Sequence, residues 1–218
     1  MNTPSLTISA RGESNIEPVP EGLHDAICCG LYYVGTIYSE QFDRAHKKLV
    51  ISWELPNCPP LRRDKDGKTE LLPRVVSRRL TMSLHEKSLL RPLLEGWRGK
   101  KFTEVELANF DVAKVLASPC QVQVLHETGR EGQPYANVQN VLPAARDGKR
   151  VGSLPPRFFS VANLDQPVLP GDLPPWIGKI VQQSREWEKL VAKEQNPTGP
   201  VPDADEPAET PAQDYVPF

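Results

Sequence analysis

Apolar residues recur with period two along four stretches of this chain and with helical spacing along two others. Residues 21–38 are rich in Ile, Leu, Val and Tyr and are interrupted by Gly30 and Gly35. That composition predicts one long strand, bent at its glycines, that serves both ends of a sheet. Lys48 to Leu55 alternates, with Leu49, Ile51, Trp53 and Leu55 on one face and Lys48, Val50, Ser52 and Glu54 on the other. A third alternation spans Val75 to Leu84. It turns Leu80, Met82 and Leu84 inward and Arg79, Thr81 and Ser83 outward. The period then lengthens. From Glu86 to Trp97, positions 89, 90, 93, 94 and 97 predict a helical stripe ending before Gly99, with Pro92 as a point of interruption. Thr103 and Glu106 have the spacing of a capping box that opens a short second helix. Strands resume at Pro119–His126 and at Tyr135–Leu142. After a Pro-rich connector, residues 174–193 carry an apolar stripe broken near Ser184.

Three strands, a helical segment and two strands predict a mainly β fold with helices. The layout is that of a five-stranded oligonucleotide-binding barrel (an OB-fold) with its helix between strands three and four. A different small β-plus-α domain fits the same pattern. The expected organisation is a loose arm over 1–18, the barrel over 19–145, a connector and C-terminal helical segment over 146–195, and a disordered tail over 196–218. The last helical segment is expected to pack on the barrel or on a second copy, as in a homodimer.

Charge sharpens this picture. The 218 residues carry a net charge of −2, but the five acids after residue 195 stand without Lys or Arg, and prolines fall at 197, 200, 202, 207 and 211. Such a segment buries too little apolar surface to offset its ordering entropy. Residues 41–102 are the opposite, with 15 Lys and Arg against 7 acids. A basic body with an acidic appendage points to an anionic partner for the first and a basic one for the second. The four cysteines lack paired metal-site spacing and read as reduced core thiols, with no cofactor or metal expected. No apolar run reaches membrane-spanning length or follows a basic start, so the expected location is the cytoplasm.

Enzyme readings fare poorly: a nuclease needs carboxylates assembled from distant positions, and the alternative to a nucleic-acid binder is a protein-interaction module, a replication accessory factor or a phage inhibitor of a host enzyme. Lys68 and Thr69 follow Gly67, but a phosphate-binding loop needs a second glycine where Arg62 stands. His24, His46, His85 and His126 are scattered, and Asp64 and Asp66 belong to a turn signal.

Two stretches, Ser83–Phe102 (SLHEKSLLRPLLEGWRGKKF) and Leu173–Ile180 (LPPWIGKI), resemble segments of small phage and prophage proteins found with replication or recombination functions. The resemblance implies single-stranded DNA binding in a host cytoplasm. The final Asp214, Tyr215, Val216, Pro217 and Phe218 resemble the tail tip of bacterial and phage single-stranded DNA-binding proteins, which implies recruitment of host or phage replication and recombination proteins. Here only Asp214 adjoins the tip, where the bacterial form has several acids in a row.

Coating single strands without sequence preference needs cations along the backbone and rings under the bases. The candidates in the loop joining strands one and two are Tyr38, Phe42, Arg44, Lys47 and Lys48. Between strands two and three lie Arg62, Arg63, Lys65 and Arg74, and strand three adds Arg79. Arg130 and Tyr135 belong to the loop between strands four and five, and one of Tyr32 and Tyr33 must face outward. Trp53 and Trp97 sit on apolar stripes and read as core.

Overall fold

The computed structural model describes residues 17–40, 43–65, 68–129, 132–148 and 151–195, with backbone alone at 63–65. Its strands are β1 (Gly22–Ser39), β2 (Arg44–Glu54), β3 (Leu61–Lys65), β4 (Lys68–Leu72), β5 (Val75–Thr81), β6 (Pro119–Thr128), β7 (Pro134–Pro143) and β8 (Arg157–Ser160). The helices are α1 (Leu90–Arg98), α2 (Glu104–Asn109), α3 (Pro175–Val181) and α4 (Arg185–Gln195).

β1 organises the sheet, whose order is β5-β2-β1-β6-β7. One edge of β1 pairs with β2 from Ile27 to Ser39. The other edge is shared: Gly22–Ile27 pair antiparallel with β6, and Gly30–Tyr33 pair parallel with β8. The predicted bends fall at the glycines, where the β1–β2 register slips between Cys28 and Gly30 and between Tyr33 and Gly35. Gly35 has φ 95°, and a Cβ there meets Ser184 at 2.5 Å and Glu186 at 2.7 Å, so both its conformation and its neighbours require glycine. The sheet is not closed into a barrel. Among the described residues no ladder joins its edges β5 and β7, and Arg78 instead bridges the seam, its Nη1 donating to the Gln139 carbonyl at 2.8 Å.

Both faces of the central strands are covered. The inner face packs Leu31, Leu49, Ile51, Trp53, Leu80, Val122 and Val138 against Leu90, Leu93, Leu94 and Trp97 of α1. On the outer face, Tyr32, Val34 and Val50 pack under Phe159, Val161, Leu173, Ile177 and Val181. The C-terminal segment is thus a second layer laid across β1 and β2.

Several expectations change. β5 ends at Thr81, which leaves Met82 42% exposed rather than inward. α1 begins at Leu90, so Leu89 is outside the stripe, and Pro92 falls in the first turn, where its missing N–H costs nothing. A β3–β4 hairpin stands where a loop is expected, and β8 stands within the expected connector. Residues 174–193 form two helices because Ser184 caps the second: Trp187 N donates to its Oγ at 3.2 Å. The Thr103–Glu106 capping box forms as its spacing predicts. The expected arm, but for 17 and 18, and the whole tail lie outside the described residues.

Two carboxylates fasten the second layer. Glu54 accepts from Ser153 N (2.9 Å), Ser153 Oγ (2.6 Å) and Leu154 N (2.9 Å). Glu186 accepts from Thr36 N (2.6 Å), Thr36 Oγ1 (2.8 Å) and Tyr33 Oη (2.9 Å). Burial pushes each carboxyl up, but the hydrogen bonds outweigh it and hold both below the usual 4.5. Since each folded value lies below the unfolded one, their contribution is complete above the usual carboxylate range and disappears as pH falls through the lowered values. Acid titration is therefore expected to release the second layer, with Trp176 and Trp187 becoming solvated. A pH-independent tryptophan emission spectrum from pH 7 to 2 contradicts this, and Glu186→Gln should move the transition to higher pH.

Candidate nucleic-acid interface

The side of β2 and β5 that meets the second layer is only partly covered. Ser52 and Ser77, directly opposed in the β2–β5 register, share a 2.7 Å hydrogen bond and floor a cleft of about 490 Å³. Its walls are Cys29 and Tyr32 of β1, Val75, the 154–157 segment with Arg157, and Pro174 and Trp176 at the start of α3. Trp176 is 45% exposed at this rim. Arg157 pairs with Asp172 at 3.0 Å, tying β8 to the loop before α3.

Beyond the cleft the same strand faces carry charge. Arg79 is the next residue on this side of β5 after Ser77, about 7 Å along the strand, and it stands opposite Val50. Lys48 is the next on β2 after Val50, and its Nζ donates to Thr81 Oγ1 at 3.0 Å. Partial burial, then the nearby Arg79 charge, lowers the Lys48 pKa. Neither cation forms an ion pair among the described residues. Two like charges held together in this way are relieved by an anion.

The structure brings together only part of the predicted set. Lys48 and Arg79 share the outer face, and Arg44 lies exposed on β2 four residues before Lys48. Lys47 is exposed on the opposite alternation. Arg62 is on the β3–β4 hairpin, where its Nη2 donates to Thr69 Oγ1 at 3.3 Å. The side chains of Arg63 and Lys65 are outside the described residues, as are Phe42, Arg130 and the tip residues Asp214, Tyr215, Val216, Pro217 and Phe218. Arg74 is a structural tie, donating to the Glu17 carbonyl at 2.6 Å and the Pro59 carbonyl at 3.1 Å. Tyr38 is half exposed, with its hydroxyl on Asp43. Tyr135 is 46% exposed and bonded to Glu127, at the far β6–β7 end.

Of the Tyr32–Tyr33 pair, neither ring is freely presented to solvent. Tyr32 is 5% exposed in the outer core, its ring lying over Gly30, and Tyr33 is half-buried and bonded to Glu186. The second layer is the reason, because it occupies the side to which an outward ring would point. Trp176 and Arg157, by contrast, are site residues that the sequence pattern does not single out. Trp176 is legible only as the one aromatic at the N-terminus of a helix whose apolar side is carried by Ile177, Ile180 and Val181.

Cys28, Cys29 and Cys120 are buried core thiols as expected, whereas Cys58 is only partly buried at the edge of the inner core. Burial, chiefly, pushes Cys28 up to about 12 and Cys29 to about 11, and Cys120 is also buried and raised. Among the described residues no cluster of three His, Cys, Asp or Glu side chains is placed to hold a metal ion. No described helix is long and apolar enough to cross a membrane. Comparison with known proteins finds no matching family model, curated protein or solved structure.

Proposed function

We propose that this chain is a single-stranded DNA-binding protein acting in phage replication or recombination, with a tail that recruits partner proteins. The strand order, with a helical segment between β5 and β6, fits a partly open oligonucleotide-binding barrel. In that fold the ligand crosses the second and third barrel strands, which here are β2 and β5. The observation that carries the reading is the pairing of Lys48 with Arg79 on that face, beside a cleft rimmed by Trp176. Phosphates would follow the two cations, and a base would enter the cleft against the indole. The β3–β4 hairpin, with Arg62 and Lys68 exposed, extends the basic surface.

Fluorescence anisotropy with labelled oligothymidine and duplex DNA tests this. Single strands should bind far more tightly than duplex, with a logarithmic salt slope of roughly 0.7 per phosphate contacted. Lys48→Glu/Arg79→Glu should lower affinity at least tenfold and flatten that slope by about 1.4 for two lost contacts. No binding at low salt would instead make the basic face a protein-docking surface, and equal affinity for duplex and single strand overturns the reading.

A further inference from the structure

A second pocket, of about 500 Å³, opens on the helical side of the molecule and shares no lining residue with the cleft above. Leu94, Trp97, Phe110, Val115 and Pro119 give it apolar walls, while Arg98, Lys100 and Lys114 bring cations to it. Among the described residues Glu106 is the one acid in the lining, and its charge is engaged, with Lys100 Nζ also 3.9 Å from Oε1. One oxygen takes the Arg98 guanidinium and the other accepts from Thr103 N and Oγ1 in the capping box. The lining therefore keeps a net positive charge. Arg98 stacks at 4.3 Å over the Phe102 ring, and its buried Nη1 has no hydrogen-bond partner among the described residues, which leaves a guanidinium donor unused there. Lys100 and Lys114 extend to solvent. Apolar walls below a cationic rim suit an acidic peptide that carries aromatic side chains.

We propose that the occupant is this chain's own segment 203–218, docking through Tyr215 or Phe218 with its acids against Lys100, Lys114 and Arg98. That segment holds Asp203, Asp205, Glu206, Glu209 and Asp214, no Lys or Arg, and two aromatics. Its charge and its rings complement the pocket's rim and walls. The 23 residues after Gln195 span up to about 80 Å when extended. Tethering on the same chain supplies an effective concentration on the order of millimolar, so a weak contact fills the pocket. Docked there, the segment leaves the β2–β5 face open and withholds its aromatic residues from other proteins. The inference does not depend on DNA binding.

The test uses the full chain carrying Tyr215→Ala/Phe218→Ala, which frees the pocket, and a fluorescein-labelled peptide of residues 203–218 read by anisotropy. This chain should bind the peptide more tightly than the unaltered chain does, because the unaltered chain's own segment competes. Adding Lys100→Glu/Lys114→Glu, at exposed positions that leave the fold intact by circular dichroism, should weaken peptide binding about tenfold. It should leave oligothymidine affinity unchanged. Equal binding by the unaltered and tip-substituted chains, no binding by either, or indifference to the lysine reversals each overturns the proposal.

Discussion

Trp176→Ala is expected to weaken single-strand binding by roughly 5- to 150-fold, the equivalent of about 1–3 kcal/mol for one lost base–aromatic stack. The indole stands at the rim of the cleft with 45% of its surface in solvent, while Ile177 and Val181 of the same helix are fully buried. Those two anchor α3 in the outer core, so the substitution removes a stacking surface without loosening the layer that carries it. Trp176→Phe should retain most of the affinity, since a phenyl ring still offers a flat face. Duplex binding should not change. Anisotropy titrations at one fixed salt concentration decide the matter, with the thermal midpoint as a control. Parental affinity in the alanine variant removes the cleft from the binding path and leaves the Lys48–Arg79 pair and the hairpin cations to test.

Trp53 carries the largest expected stability effect. It is fully buried between β2 and α1, 5.9 Å from the Trp97 ring centre, and Trp53→Ala should cost about 3–5 kcal/mol in urea denaturation. Trp53→Phe should cost far less than its loss of volume suggests. The buried Trp53 Nε1–H has no partner among the described residues, and an unmet buried donor carries a penalty of about 1–3 kcal/mol that a phenyl ring abolishes. Trp97 provides the contrast, because its Nε1 donates to the Pro119 carbonyl at 3.2 Å. Trp97→Phe leaves that carbonyl without its donor, so the same exchange should be costlier there. If the two phenylalanine variants lose equal stability, the unmet donor at Trp53 has no energetic weight.

The sequence by itself determined the alternating faces of β2 and β6, the bends of β1 at Gly30 and Gly35, the capping box at Thr103 and the core roles of Trp53 and Trp97, whereas the alternation of β7 breaks at a register slip that buries Val141 and exposes Leu142. Each of these is a local matter, since side-chain period, backbone freedom and a three-residue hydrogen bond are all written in neighbouring residues. It also marked the basic surface, because charge is additive along a chain. What it left open was which cations stand together. Lys48 and Arg79 are 31 positions apart and meet only through the β2–β5 register, while Arg74 and Arg78, cations of the same basic stretch, are spent on backbone carbonyls. Only the tertiary structure decided the fate of the second face of β2. Val50 and Tyr32 look available in a pattern of alternation, yet residues 151–195 return over a hundred positions later to cover them, held by Glu54 and Glu186. That return also brings Trp176 beside Ser52 and Ser77. A local pattern states that a face can be buried, and only the packing of distant segments states what buries it and where it leaves a cleft.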